Sequence, residues 1–564
     1  RRHPPRSALG ALLLLTTGAL AAPDAVRAQD TSVRVPVDSL EARVDALMAD
    51  YRVGETPGAV VGVIRGGELV FAGAYGTADL AHGAPITTDT RFNLGSASKQ
   101  FTGFAFALLE KRGELSLDDP VSEHLPDWPT FDDTVTIRHL LTHSSGYREA
   151  YGTLGLAGRT GRDHLPRKEV LEVVRRQPEL EFRPGTAFRY NSTAYVILAE
   201  IVERATGQPF PAWMEENVFG PLGMDDTAIE SEVGDLIPAA AYSYEDGEHG
   251  GYRLSFSNKA IYGAAEVYTT LGDFARWLGN YGDAGLGGAS VQRRMREPLV
   301  LPSGDTTEYA LGLFTGRLRG LEQLWHGGSH AGYRAFFSYA PELDVGVVVM
   351  SNYGGFGLGR VVFTVSDLVL GDHAEPAEGE AEPGAGAVAV DSAVLRSYAG
   401  HYLSDEGELY TFDREGGSLD LQGGPGLVAL SDTTFRLEGT STRVAFHAGE
   451  GGEVERATLF ASDEPATVLR RTQAWSPDAE ELARYAGRYV SPELETVYTL
   501  AVRDGRLVAE HRWNGTVELS PQVKEGVLEG EWLEIRFERN EVGILTGFYA
   551  SAGRTSDVWF RKEG

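Results

Sequence analysis

Apolar positions in the first two-thirds of the chain follow two periods. Leu40, Val44 and Leu47 fall at helical spacing and predict an opening helix within residues 30–50. Two apolar runs follow, Ala59-Val60-Val61-Gly62-Val63-Ile64 and Leu69-Val70-Phe71-Ala72. The turn residues Arg65-Gly66-Gly67 between them make a hairpin over 58–76. A helical face then starts near residue 96, with Phe101, Phe104, Ala105, Leu108 and Leu109 on it. Segments 168–176, 193–205 and 271–281 carry the same period. Late strands are predicted from Tyr333 to Tyr339 and from Val345 to Met350, and a closing helix near 361–369. Strands at both ends with helices between them suggest one mixed domain of about 340 residues, large enough to contain a mostly helical lobe.

Beyond it the pattern changes. Residues 372–391 include Ala374-Glu375-Pro376-Ala377-Glu378-Gly379-Glu380, which has repeated charge and no period, and read as a linker. The sequence then repeats: Leu395-Arg396-Ser397-Tyr398-Ala399-Gly400-His401-Tyr402 matches Leu482-Ala483-Arg484-Tyr485-Ala486-Gly487-Arg488-Tyr489. Alternating segments follow each copy, so each copy is expected to form a small antiparallel barrel or sandwich. The expected division is a main domain over 30–371, a first barrel over 392–472 and a second over 476–564.

Composition narrows the chemistry. The chain has 564 residues, too many for one core. Its hydrophobic share of 42% is enough to build packed domains. A net charge of −30 disfavours nucleic acid and anionic membranes as partners. Without cysteine, thiol catalysis, disulfides and thiolate metal sites are excluded. Arg1, Arg2 and Arg6 precede an apolar run from Ala8 to Ala22, and Val26 and Ala28 suggest cleavage before Gln29. That layout is a secretory signal peptide over 1–28, so an exported protein (periplasmic or secreted) without a membrane span is expected; an uncleaved anchor is the alternative. The sequence is silent on oligomeric state.

Candidate chemistry centres on Ser96-Ala97-Ser98-Lys99. A hydroxyl and an amine at i and i+3 share one helix face. Ser96 would lie in the first turn, where free N–H groups favour developing negative charge. Lys99 would be drawn inward with the apolar face, and burial would lower its pKa until the neutral amine could act as a base.

The segment Phe92-Asn93-Leu94-Gly95-Ser96-Ala97-Ser98-Lys99-Gln100-Phe101-Thr102 resembles the active-site segment of serine β-lactamase-related hydrolases. That family includes class C β-lactamases, D-alanyl-D-alanine carboxypeptidases, D-aminopeptidases and esterases. Gly113 to Pro120, Val135 to Gly146 and Pro221 to Thr227 agree in the family's order, over roughly residues 35–370. The resemblance implies an α+β fold: an antiparallel sheet flanked by helices, plus a helical lobe. The two C-terminal repeats resemble the paired β-barrel domains that follow this domain in D-aminopeptidase.

The resemblance also implies roles. Tyr190, in Arg189-Tyr190-Asn191-Ser192, matches the phenol of the Tyr-x-Asn motif and would shuttle a proton with Lys99. Ser192 stands where the family has Asn, while Asn191 sits one place early and would point elsewhere. Trp325-His326-Gly327-Gly328-Ser329 matches the third motif, which is Lys-Thr-Gly in β-lactamases and His-x-Gly in D-aminopeptidases. His326 would face the pocket from an edge strand, Gly328 would let a substrate backbone approach, and the N–H groups of Ser329 and Ser96 would form the oxyanion hole.

His139 and His143 have i, i+4 spacing, but the segment lacks the glutamate of a zinc protease, and no metal or organic cofactor is implied. An acyl-enzyme hydrolase of small amide, peptide or ester substrates is therefore expected, with D-amino-acid amides or peptides preferred. Carboxylesterase and β-lactamase remain open, as does a non-catalytic acylatable sensor.

Overall fold

The computed structural model describes residues 37–564 except 303, 305, 319, 372–387, 389, 405–408, 416–417, 423–425, 438–441, 450–452, 461–466 and 524–525. The expected signal peptide and most of the expected linker lie outside the described residues. Six antiparallel strands form the main sheet, in the spatial order Phe314–Leu318, Leu321–His330, Tyr333–Ala340, Val345–Ser351, Ala59–Arg65 and Glu68–Tyr75. The hairpin near the chain start joins the late strands through Ala59–Arg65, which pairs along its length with Val345–Ser351.

Alternation on these strands builds two cores. Val61, Val63, Val347 and Val349 face the helices Val37–Leu47 and Leu358–Leu370. Val60, Ile64, Val348 and Met350 face a larger cluster that includes the buried side of the helix Lys99–Arg112. That helix stops at Gly113, whose φ of 71° is the left-handed conformation glycine adopts without strain. Gln100 fixes it laterally, accepting hydrogen bonds from Trp277 Nε1 (2.6 Å) and Tyr281 Oη (2.9 Å). The helical lobe contains Ala150–Leu156, Arg167–Arg175 and Ser192–Thr206.

Each C-terminal repeat opens with a short helix and then a strand: Ser392–Tyr398 and Gly400–Ser404, then Ala479–Ala483 and Gly487–Ser491. The repeated tyrosines do the same thing twice. Tyr402 Oη donates to the Tyr398 carbonyl (2.9 Å), and Tyr489 Oη to that of Tyr485 (2.7 Å). The first repeat forms an eight-stranded antiparallel sheet with its own core. The second closes into an eight-stranded barrel whose core is continuous with that of the hydrolase domain. Among the described residues no helix is long and apolar enough to cross a membrane.

Candidate active site

Ser96 lies on a single 3-10 turn, Gly95–Ser98, and the α-helix proper starts at Lys99. Gly95 takes φ 51°, and a side chain there would sit 2.7 Å from the Ser329 nitrogen, so the turn lies directly against the strand Leu321–His330. Lys99 is fully buried. Its Nζ lies 3.1 Å from Ser96 Oγ, 3.0 Å from the Ala264 carbonyl and 3.4 Å from Ser192 Oγ. Burial holds the amine well below the usual lysine range, and the charge of Arg554 acts in the same direction. A neutral amine has two N–H groups and one lone pair. Ala264 and Ser192 take the two donors, which leaves the lone pair for the Ser96 proton.

Tyr190 packs beside this pair, its ring centroid 5.0 Å from Lys99 Nζ. Burial raises the phenol's pKa, opposed by the Ser96 hydroxyl and by Arg554. Asn191, next in sequence, is turned away from the site. It caps the helix Ser192–Thr206 by accepting from Ala194 N–H (3.0 Å), and its Nδ2 donates to the Tyr147 carbonyl (2.6 Å). Ser192 is therefore the first residue of that helix and faces Lys99.

His326 is buried, and two details differ from the sequence expectation. Its strand is not an edge, because Phe314–Leu318 pairs outside it in the register Phe314 to Trp325. Gly328 does not leave room for a substrate backbone. A side chain there would collide with the Leu94 carbonyl, so this glycine admits the turn that carries Ser96. His326 Nδ1 meets the Gly327 carbonyl (2.6 Å) and must donate to it, so Nε2 accepts from Tyr309 Oη (3.2 Å). Burial pushes the imidazole pKa down to about 3, which keeps the ring neutral.

The second barrel reaches this site. Its last two strands, Leu545–Ala552 and Thr555–Lys562, are joined at Gly553-Arg554. The Arg554 guanidinium carbon stands 5.4 Å from the Tyr190 ring centroid. Thr555 Oγ1 donates to the Glu149 carbonyl (2.6 Å), and Ser556 N–H to Glu181 Oε1 (2.8 Å). Arg148, itself buried, bonds the carbonyls of Ser556 and Asp557 and pairs with Glu493 (2.9 Å) and Glu181 (3.5 Å).

The Beta-lactamase family matches residues 40–363, more than half of the chain. The chain belongs to that family. It is similar to a D-aminopeptidase of Cereibacter sphaeroides, 29% identical over 484 residues, which covers 83% of this chain and 86% of the relative. A D-aminopeptidase of Brucella anthropi is 26% identical over 543 residues, covering 93% and 98%. Among solved structures, a penicillin binding protein from Bacillus halodurans aligns with a TM-score of 0.50 at 27% identity, covering 58% of this chain and 98% of that one. An octameric penicillin-binding protein homologue from Pyrococcus abyssi aligns at 0.54 and 22% identity, covering 77% and 100%. The protein is a serine hydrolase of the Beta-lactamase family with D-aminopeptidase-like barrels.

Around this family's centre lie residues to which the sequence reading gave no catalytic role. His143 has φ 57° and its ring lies 4.2 Å from that of Tyr190. Its Nδ1 accepts from Asn191 N–H (3.1 Å) and its carbonyl from Arg189 N–H (2.8 Å), so both flanks of Tyr190 hang on one residue. It lies beyond the helix Ile137–Leu141, while His139 Nδ1 accepts from Thr136 N–H (3.2 Å). The two imidazoles thus do not share a helix face. Among the described residues no group of three or more His, Asp or Glu side chains is placed to hold a metal. Tyr309 and Arg554 carried no signal because each meets the site only through the tertiary fold.

Proposed function

We propose that this chain is an exported amidohydrolase that cleaves D-amino-acid amides and peptides through a Ser96 acyl-enzyme. One observation carries the reading: a lysine amine buried 3.1 Å from a serine hydroxyl, with no ion pair among the described residues. In this mechanism Lys99 takes the Ser96 proton as Oγ attacks the carbonyl. The oxyanion rests on the N–H groups of Ser96 and Ser329. Tyr190, beside Lys99, passes a proton to the leaving nitrogen. The C–N bond breaks, and water then releases the acyl group. Ser192 supplies a short hydroxyl contact where the family's amide would be, and His326 a neutral wall. Residues 30–371 form the hydrolase unit in this reading, with 372–391 a linker to barrels at 392–472 and 476–564. The preference for D-amino-acid substrates is supported by the similarity to proteins named D-aminopeptidase.

Ser96→Ala should abolish labelling by a fluorophosphonate probe while thermal unfolding stays unchanged. Undiminished labelling overturns Ser96 as nucleophile. The kcat/KM values for D-Ala-p-nitroanilide, p-nitrophenyl butyrate and nitrocefin should rank in that order, and a clear lead for butyrate overturns the amide preference.

A further inference from the structure

Arg554 is an exposed cation at the tip of a clamped hairpin, standing over the ring of Tyr190. No ion pair or hydrogen bond to its side chain occurs among the described residues. The neighbouring cation Arg189 is already used, pairing with Glu181 (3.3 Å) and bonding the Ser556 hydroxyl. Both arginines line a cleft of about 650 Å³ that runs between the two barrels. Glu529 and Glu531 line the same cleft without pairing to Arg554.

These positions give the cleft a direction. The phenol that protonates the leaving nitrogen faces the leaving group, and Arg554 lies over that same ring. Its guanidinium is therefore on the leaving side of the scissile bond. The carboxylate of an amino acid sits two bonds beyond its nitrogen, within reach of such a cation. An anion further along would meet the acidic part of the cleft.

We propose that Arg554 reads the free carboxylate of a single-residue leaving group, so that the preferred substrate is a short peptide whose departing unit is one amino acid. The inference rests on the amide-peptide reading given above. Cleavage forms the Ser96 Oγ–C bond, breaks the C–N bond, and sends the Ser96 proton through Lys99 and Tyr190 to the leaving amine. The first product is an amino acid with a neutral amine and a free carboxylate held by Arg554, and it takes a further proton from solvent on release.

The test compares kcat/KM for D-Ala-D-Ala with that for the same dipeptide capped as its C-terminal methylamide, in the full chain. The wild type should favour the free acid by about tenfold or more, the usual scale of a charge-assisted contact. Arg554→Gln should bring the ratio close to one, and Arg554→Lys should restore part of it. A structural disturbance lowers both substrates together and leaves the ratio unchanged. An unchanged ratio in Arg554→Gln, or a wild type indifferent to the cap, overturns the inference alone. A wild type that cleaves neither dipeptide, while Ser96 still labels, overturns the peptide reading and this inference with it.

Discussion

Replacing Arg148 with methionine should free the hairpin that carries Arg554. Arg148 is 2% exposed and its guanidinium joins three parts: Glu493 and the Ser556–Asp557 backbone of the second barrel, and Glu181 of the hydrolase domain. Glu181 keeps Arg189 and the Ser556 N–H if Arg148 is lost. Glu493 does not: among the described residues its Oε1 bonds Arg148 alone, and its Oε2 has no partner. Burial already raises the Glu493 carboxyl above the usual range despite the adjacent guanidinium. Breaking a buried pair from one side typically costs about 3–5 kcal/mol, so hairpin opening should become about two to four powers of ten more frequent. Hydrogen exchange of peptides covering 551–557 reads this directly. Adding Glu493→Gln replaces the stranded charge with a neutral polar group, whose cost is about 1–3 kcal/mol, and should recover about 2 kcal/mol of protection. Exchange in Arg148→Met within threefold of wild type refutes the reasoning, as does a double variant no better protected than the single one.

Gly328→Ala drives a Cβ against the Leu94 carbonyl, and the turn that carries Ser96 must move. Destabilisation of about 1–3 kcal/mol and a roughly 100-fold loss of kcat/KM are expected, checked by denaturant unfolding and D-Ala-p-nitroanilide turnover. His326 binds its proton near pH 3 in the native state and near pH 6.5 when unfolded, so the stability tied to its neutral form is fully present above about pH 6.5 and is lost as pH falls towards 3. His326→Gln should therefore show a shallower loss across that window in thermal melts; a slope equal to the wild type's refutes the assignment.

Periodicity carried most of the architecture because the buried strands and helices are long. The hairpin expected over 58–76 resolves into Ala59–Arg65 and Glu68–Tyr75, and the helix expected at 193–205 into Ser192–Thr206. Phe314–Leu318 was not anticipated: five residues containing glycine, threonine and arginine have too little alternation to read as a strand, so His326 was assigned to an edge. Ser96 and Lys99 were legible because one helical turn fixes their spacing. What lowers the pKa of the amine was not, since its burial is a product of tertiary packing and Arg554 comes from a distant hairpin. Gly328 shows the same limit. Its need for an empty α-position was visible, but the occupant of that space, the Leu94 carbonyl, is a tertiary fact.

The clamped hairpin also sets an order of events during synthesis. Domains fold largely as they emerge, N-terminal first. The pair Ser96 and Lys99 can assemble as soon as residues up to the strand Val345–Ser351 have been made. Arg554 cannot take its place until Thr555–Lys562 has closed the second barrel. Until then the nascent chain holds a serine–lysine pair without the guanidinium over Tyr190. On the proposed role of Arg554, late closure of the last strand is a maturation step, in which the Ser96–Lys99 pair acquires a leaving-group preference without any change in its own sequence.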